Sequence, residues 1–127
     1  FYNYEPDKRG KISKTPTDES YVLLKPHVEA SKDYDDEAII ARTMVPMCTE
    51  IARCVEEKIV ETPAEADMAL IFGIGFPPFR GGVFRWMDCI GLQAFCDMAD
   101  KYVDLGKIYE PTPTQREMAA SGKKYYA

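Results

Sequence analysis

The residues best placed to do chemistry lie in Gly75-Phe76-Pro77-Pro78-Phe79-Arg80-Gly81-Gly82 and at the start of the apolar segment that follows. A glycine-rich loop that opens onto a helix can turn backbone N–H groups toward an anion and add the positive end of the helix dipole. Arg80 or Arg85 would bring charge to the phosphates of an anionic ligand. The spacing is not that of a dinucleotide fingerprint or a P-loop, and no strand-like run precedes it as both mechanisms require. The residues favour a packing role for Gly81 and Gly82, with Arg80 and Arg85 solvated or ion-paired.

Other constellations are weaker. Cys48, Cys54, Cys89 and Cys96 form no CxxC pair, and the only histidine, His27, is distant from them in sequence, so they read as reduced thiols rather than as a zinc site or disulfides. With one histidine, on a Lys25-Pro26-His27 turn, nothing supplies the base that a Ser or Cys nucleophile needs. Asp35-Asp36-Glu37 fits a helix start favoured by its dipole, and Glu56-Glu57 fits a solvent face. Phe79, Phe84 and Trp86 could floor a ligand pocket, but aromatics at helical spacing in a small domain form its core. No catalytic, cofactor-binding or metal-binding residue is therefore expected in this chain.

The elements that would carry these residues follow from composition and periodicity. A chain of 127 residues with 46% hydrophobic and 29% charged residues is expected to form one globular domain. The net charge of -5 without clustered Lys and Arg argues against nucleic acid as a partner. The apolar runs fall short of the roughly 20 residues that cross a bilayer, and Phe1-Tyr2-Asn3-Tyr4 lacks signal-peptide features, which points to the cytoplasm. The abrupt aromatic start is expected of a piece cut from a longer chain.

Residues 1–17 lack an apolar period and are expected to be an extended linker from a preceding domain, with a helical domain over 18–127. Asp18 and Ser20 could start a short helix through Leu24 that Pro26 ends. Ile40, Met44, Met47, Ile51, Val55 and Ile59 recur every three or four residues and predict one long amphipathic helix, kinked at Pro46. Thr62-Pro63-Ala64-Glu65 has the signature of a helix start, and Gly73 and Gly75 that of its end. Further helices are expected from Val83 to near Gly91, from Leu92 to near Gly106, and from Thr114 to Ala120. No sustained period-two alternation is recognised, so the expected fold is all-α with five to six helices and no sheet.

The run Ala38–Gly91 resembles the C-terminal helical domain of the 3-hydroxyacyl-CoA dehydrogenase family. The carrying residues are Ile39-Ile40-Ala41-Arg42 with Pro46 and Glu50, then Thr62-Pro63-Ala64-Glu65-Ala66-Asp67-Met68-Ala69, then Gly73 through Asp88. The whole chain is similar to the second copy of that domain in the α-subunits of bacterial fatty-acid oxidation complexes, with Phe1-Tyr2-Asn3-Tyr4 resembling the end of the first copy. The resemblance implies a parent multienzyme that hydrates enoyl-CoA and then oxidises 3-hydroxyacyl-CoA with NAD. The parent's catalytic His and Glu and its nucleotide site would lie in an upstream Rossmann domain.

The catalytic copy of the helical domain carries an active-site Asn immediately before the helix arginine, where this sequence has Ala41 before Arg42. An alanine methyl cannot hydrogen-bond a substrate carbonyl. The resemblance thus implies a non-catalytic duplicate that pairs with the first helical copy and the Rossmann domain, in a complex that also holds a thiolase subunit. By itself such a domain would expose an apolar face and self-associate. Two alternatives are kept: direct acyl-CoA or NAD contact through the glycine turn and its arginines, and a generic helical interaction module.

Overall fold

A computed structural model describes residues 1–28 and 32–126. Residues 29–31 and 127, which the expected 18–127 domain includes, lie outside the described residues. The chain divides into two compact units, Phe1–Asp33 and Tyr34–Ala127, so the division falls well after the expected 17/18 boundary.

The first unit corrects the expectation of no sheet. Tyr2–Pro6 (β1) and Ile12–Pro16 (β2) form an antiparallel hairpin with Tyr4 opposite Lys14. Asp7 organises the turn, its carboxylate accepting the Arg9 and Lys11 N–H groups at 2.8 and 2.9 Å. A period of two is present after all. Tyr2, Tyr4 and Pro6 share one face with Ile12, Lys14 and Pro16, while Asn3, Glu5, Ser13 and Thr15 share the other. The Lys, Pro and Gly content around the turn hides it. Glu19–Leu24 (α1) follows as expected and gives way to a 3-10 turn at Lys25–His27, where Pro26 stands.

The second unit is helical. Its longest element, Asp36–Glu56 (α2), is started by Asp35, whose carboxylate accepts the Ala38 N–H at 2.7 Å, and it runs on through Pro46. Proline offers no N–H to the carbonyl one turn back, and that Arg42 carbonyl accepts the Tyr109 hydroxyl at 3.4 Å. The buried stripe is Ala41, Val45, Cys48, Thr49 and Ala52, rotated from the one expected. Met44, Met47, Ile51 and Val55 flank it half-buried, Ile40 is largely exposed, and Ile59 lies beyond the helix end in solvent. Small residues sit where neighbouring helices come closest, and the larger side chains fill the flanks.

Pro63–Ile74 (α3) begins with the expected capping box between Thr62 and Glu65. Gly73 lies inside this helix, and Gly75, in the left-handed conformation, ends it. Val83–Ile90 (α4) and Leu92–Asp100 (α5) bury Val83, Phe84, Trp86, Met87, Phe95 and Cys96 against α2. The stretch expected to remain helical to Gly106 instead breaks into 3-10 turns at Val103–Leu105 and Lys107–Tyr109. Pro113–Ser121 (α6) has a second capping box, between Thr112 and Gln115, and Gln115 is fully buried. Its amide reaches the Cys48 carbonyl and the Met87 sulfur at 3.4 Å each, so a polar side chain ties α6 to α2 and α4.

Candidate functional site

The glycine turn is the natural starting point. Gly75 ends α3, and the Phe76 N–H donates back to the Leu70 carbonyl at 3.1 Å, which folds Phe76 into the core. Pro78–Arg80 forms a 3-10 turn, and Gly81 and Gly82 both have positive φ before α4 begins. The two phenylalanines of the turn part company: Phe76 is buried, whereas Phe79 is 84% exposed. The turn's backbone can bury one ring but points the other out.

The N-terminus of α4 has the form of an anion site, and it is filled by the protein. Asp67, only 2% exposed on the inner face of α3, accepts the Phe84 N–H at 2.9 Å and the Arg85 N–H at 3.3 Å. Its second oxygen also accepts the Tyr126 hydroxyl at 2.8 Å. A carboxylate at the second and third N–H groups of a helix does what an N-cap side chain does, here from a separate helix. Gly82 makes the approach possible: a Cβ there would lie 2.1 Å from the Asp67 Cγ. The donors a phosphate would need at Phe84 and Arg85 are already satisfied.

The arginines do not converge on that point. Arg80 is exposed beside the Phe79 ring, and the Arg85 guanidinium lies 3.8 Å from the centre of the Tyr126 ring. Asp88, one turn on from Arg85, accepts the Tyr125 and Tyr126 N–H groups at 2.9 Å each, and Tyr125 packs edge-on to Phe84 with ring centres 4.5 Å apart. Burial, and for Tyr126 the added hydrogen bond to Asp67, raises both phenols above their ordinary pKa. The C-terminal tyrosines are thus clamped onto α4.

A second concavity, a groove of about 570 Å³, runs between the start of α2 and the end of α5. Ala38, Ala41 and Met98 line its apolar part, and Asp35, Asp97 and Lys101 its polar part. Ala41, 2% exposed, contributes only a methyl group there. Trp86 and Phe84 are core residues. Cys48 and Cys96 are buried, Cys54 is half-buried and Cys89 is exposed, and burial pushes the Cys48 and Cys96 thiols up. Among the described residues no group of three or more His, Cys, Asp or Glu side chains is placed to hold a metal ion. None of the described helices is long and apolar enough to cross a membrane. His27 stands in the 3-10 turn of the first unit.

Sequence reasoning missed the role of Asp67, although it left a trace. On the face of α3 that carries Pro63, Ala66 and Leu70, Asp67 is the one charged residue, and a charge on a buried helix face requires partners. The clamp by Asp88 on the backbone of residues 125 and 126 left no such trace.

Residues 39–126 match the family described as "3-hydroxyacyl-CoA dehydrogenase, C-terminal domain". The chain belongs to this family. As a dehydrogenase C-terminal domain it is similar to the fatty acid oxidation complex subunit alpha of Colwellia psychrerythraea, with 54% identity over 126 residues that cover 99% of this chain and 18% of that protein. The proteins of the same description from Pseudomonas aeruginosa and Psychrobacter arcticus are 52% and 51% identical and are likewise covered to 18%. The dehydrogenase C-terminal domain and the hairpin before it therefore span less than one-fifth of the length of these relatives.

Proposed function

We propose that this chain is part of a fatty-acid β-oxidation multienzyme that combines enoyl-CoA hydratase with NAD-dependent 3-hydroxyacyl-CoA dehydrogenase, and that its helical domain is a non-catalytic scaffold. In this reading it pairs with the first helical copy and supports the Rossmann domain that binds NAD, in a cytoplasmic complex that includes a thiolase subunit. Residues 1–17 then connect the two helical copies, with the hairpin formed inside that connection.

The observation that carries the scaffold reading is the occupied N-terminus of α4. The turn most suited to hold a phosphate holds Asp67 instead, and the glycine that a nucleotide would exploit is needed for that contact. Ala41 in the groove adds no polar group that could hold a substrate carbonyl. The alternative of direct acyl-CoA or NAD contact by the turn would require Arg80 and Arg85 to act without those N–H groups.

The test is a titration of the 127-residue chain into a separately produced piece carrying the Rossmann domain and first helical copy. Binding is followed together with NADH-dependent reduction of acetoacetyl-CoA. The scaffold reading predicts binding and a rise in activity, with no turnover by the chain alone and no heat of binding between it and acetoacetyl-CoA, NAD or NADH at millimolar concentration. Turnover by the chain alone, or ligand binding that Arg80→Ala abolishes, would overturn it in favour of direct contact.

A further inference from the structure

We propose that Lys123–Tyr126 is a latch: a strap that docks across α3 and α4 as one cooperative unit and opens while the helical core stays folded. This latch belongs to the domain itself and does not depend on the scaffold reading above. α6 ends at Gly122, whose left-handed backbone turns the chain, and residues 123–126 join no helix or strand. The Lys123 N–H returns to the Met118 carbonyl at 3.0 Å and completes the end of the helix. The Lys123 and Lys124 side chains are exposed, so the hold on the strap falls to its two tyrosines.

Their fastenings have the form of ligand recognition rather than of core packing. Asp88 receives two consecutive backbone N–H groups, Tyr125 on Oδ1 and Tyr126 on Oδ2 at 2.9 Å each, a bidentate arrangement that fixes the direction of the strap. The Tyr126 hydroxyl reaches past α4 to α3, where it donates at 2.8 Å to the same Asp67 oxygen that accepts the Arg85 N–H. The Tyr126 ring lies 3.8 Å from the Arg85 guanidinium, and Tyr125 meets Phe84 edge-on. Four contacts made by two adjacent residues hold one another in register, so loss of any one weakens the rest. Both tyrosines are nevertheless only partly buried, whereas Val45, Phe84, Met87 and Phe95 beneath them are fully buried. A short segment with little buried apolar surface, attached to a close-packed core, opens at a lower free energy than the core unfolds. Opening uncovers the second oxygen of Asp67 and releases Arg85 from the ring. The latch thereby sets whether the filled N-terminus of α4 is sealed or reachable from solvent.

Native-state amide hydrogen exchange, followed by NMR on the 127-residue chain, tests this. The Tyr125 and Tyr126 amides are expected to show equal protection, well above that of an unstructured peptide and roughly a hundredfold or more below that of the Ala52 and Phe95 amides in the core. Tyr126→Phe removes only the hydroxyl bond to Asp67, yet it should lower protection at both amides by about tenfold, the fold-change of one hydrogen bond to a charged group. Asp88→Ala should bring both amides to the rate of an unstructured peptide and leave those of Ala52 and Phe95 unchanged. Exchange of the two strap amides at the core rate would make the strap part of the core and overturn the latch. Exchange at the unstructured rate in the wild-type chain would show that the strap does not dock, with the same consequence. A Tyr126→Phe variant with unaltered protection at both amides would overturn the cooperative unit, because the two fastenings would then act separately.

Discussion

Replacing Asp67 by Asn keeps the shape of the side chain and removes its capacity to satisfy three donors. The carboxylate accepts from the Phe84 and Arg85 N–H groups and the Tyr126 hydroxyl, all within 3.3 Å. An amide has one acceptor oxygen, so at least one of these donors must face an NH2 group. Hydrogen bonds to a charged group contribute about 1.5–3 kcal/mol, and a buried donor left without a partner costs about 1–3 kcal/mol. Asp67→Asn should therefore destabilise the domain by about 2–4 kcal/mol. At about 4 °C per kcal/mol for a domain of this size, Tm falls by roughly 8–16 °C. Trp86, the sole tryptophan and 7% exposed, reports unfolding in urea through its fluorescence. Asp67→Ala should cost somewhat more, and inorganic phosphate should recover part of that loss in the variant beyond any effect on the wild type, because the vacated helix terminus can accept an anion. A loss below about 0.5 kcal/mol for Asp67→Asn would refute the reasoning, since it would mean that the carboxylate contributes no more than an exposed cap.

The thiols should react in order of exposure: Cys89 with an aromatic disulfide reagent in the native chain, Cys54 more slowly, and Cys48 and Cys96 only on unfolding, read by mass mapping of the labelled sites. Labelling of Cys48 ahead of Cys89 would contradict the packing. Asp100 is held below the usual carboxylate range by its hydrogen bond to Arg116, with Oδ1 and Nη2 2.6 Å apart. A group whose pKa is depressed on folding stabilises above its unfolded pKa and loses that contribution as pH falls through the folded value, so acid unfolding of Arg116→Ala should show a weaker pH dependence below about pH 4. Gln115→Leu leaves the Thr112 N–H without its partner and removes the link to Cys48, and it should lower stability by about 1–3 kcal/mol in the same urea assay.

The parts of the fold legible in the sequence are those set by local chemistry. Thr62-Pro63-Ala64-Glu65 starts a helix because the cap, the proline and the glutamate act within one turn, and the structure forms that capping box. The equivalent signal at Thr112-Pro113-Thr114-Gln115 forms the same capping box, with the glutamine amide oxygen accepting the Thr112 N–H. The hairpin is poorly legible because its alternation spans only five residues a strand and Lys14 interrupts it. Large side chains dominate the periodicity of α2 and place its stripe one position off, whereas the inter-helix contact selects small ones at Ala41, Cys48 and Ala52. At the candidate site, the suspicion that Gly81 and Gly82 serve packing was legible, but the identity of what packs there was not. Asp67 and Gly82 are brought together by tertiary structure alone.

Gly73 and Gly82 look alike in the sequence, each a small residue near the end or the start of a helix. The structure separates them by what a methyl group would meet. At Gly82 it would collide with Asp67, so the glycine serves a contact inside this domain, and that contact fills the N-terminus of α4. At Gly73 it would meet nothing within 4 Å, so no contact among the described residues depends on that glycine. A filled terminus at α4 is what the scaffold proposal requires, since the turn then offers no free pair of N–H groups to a phosphate.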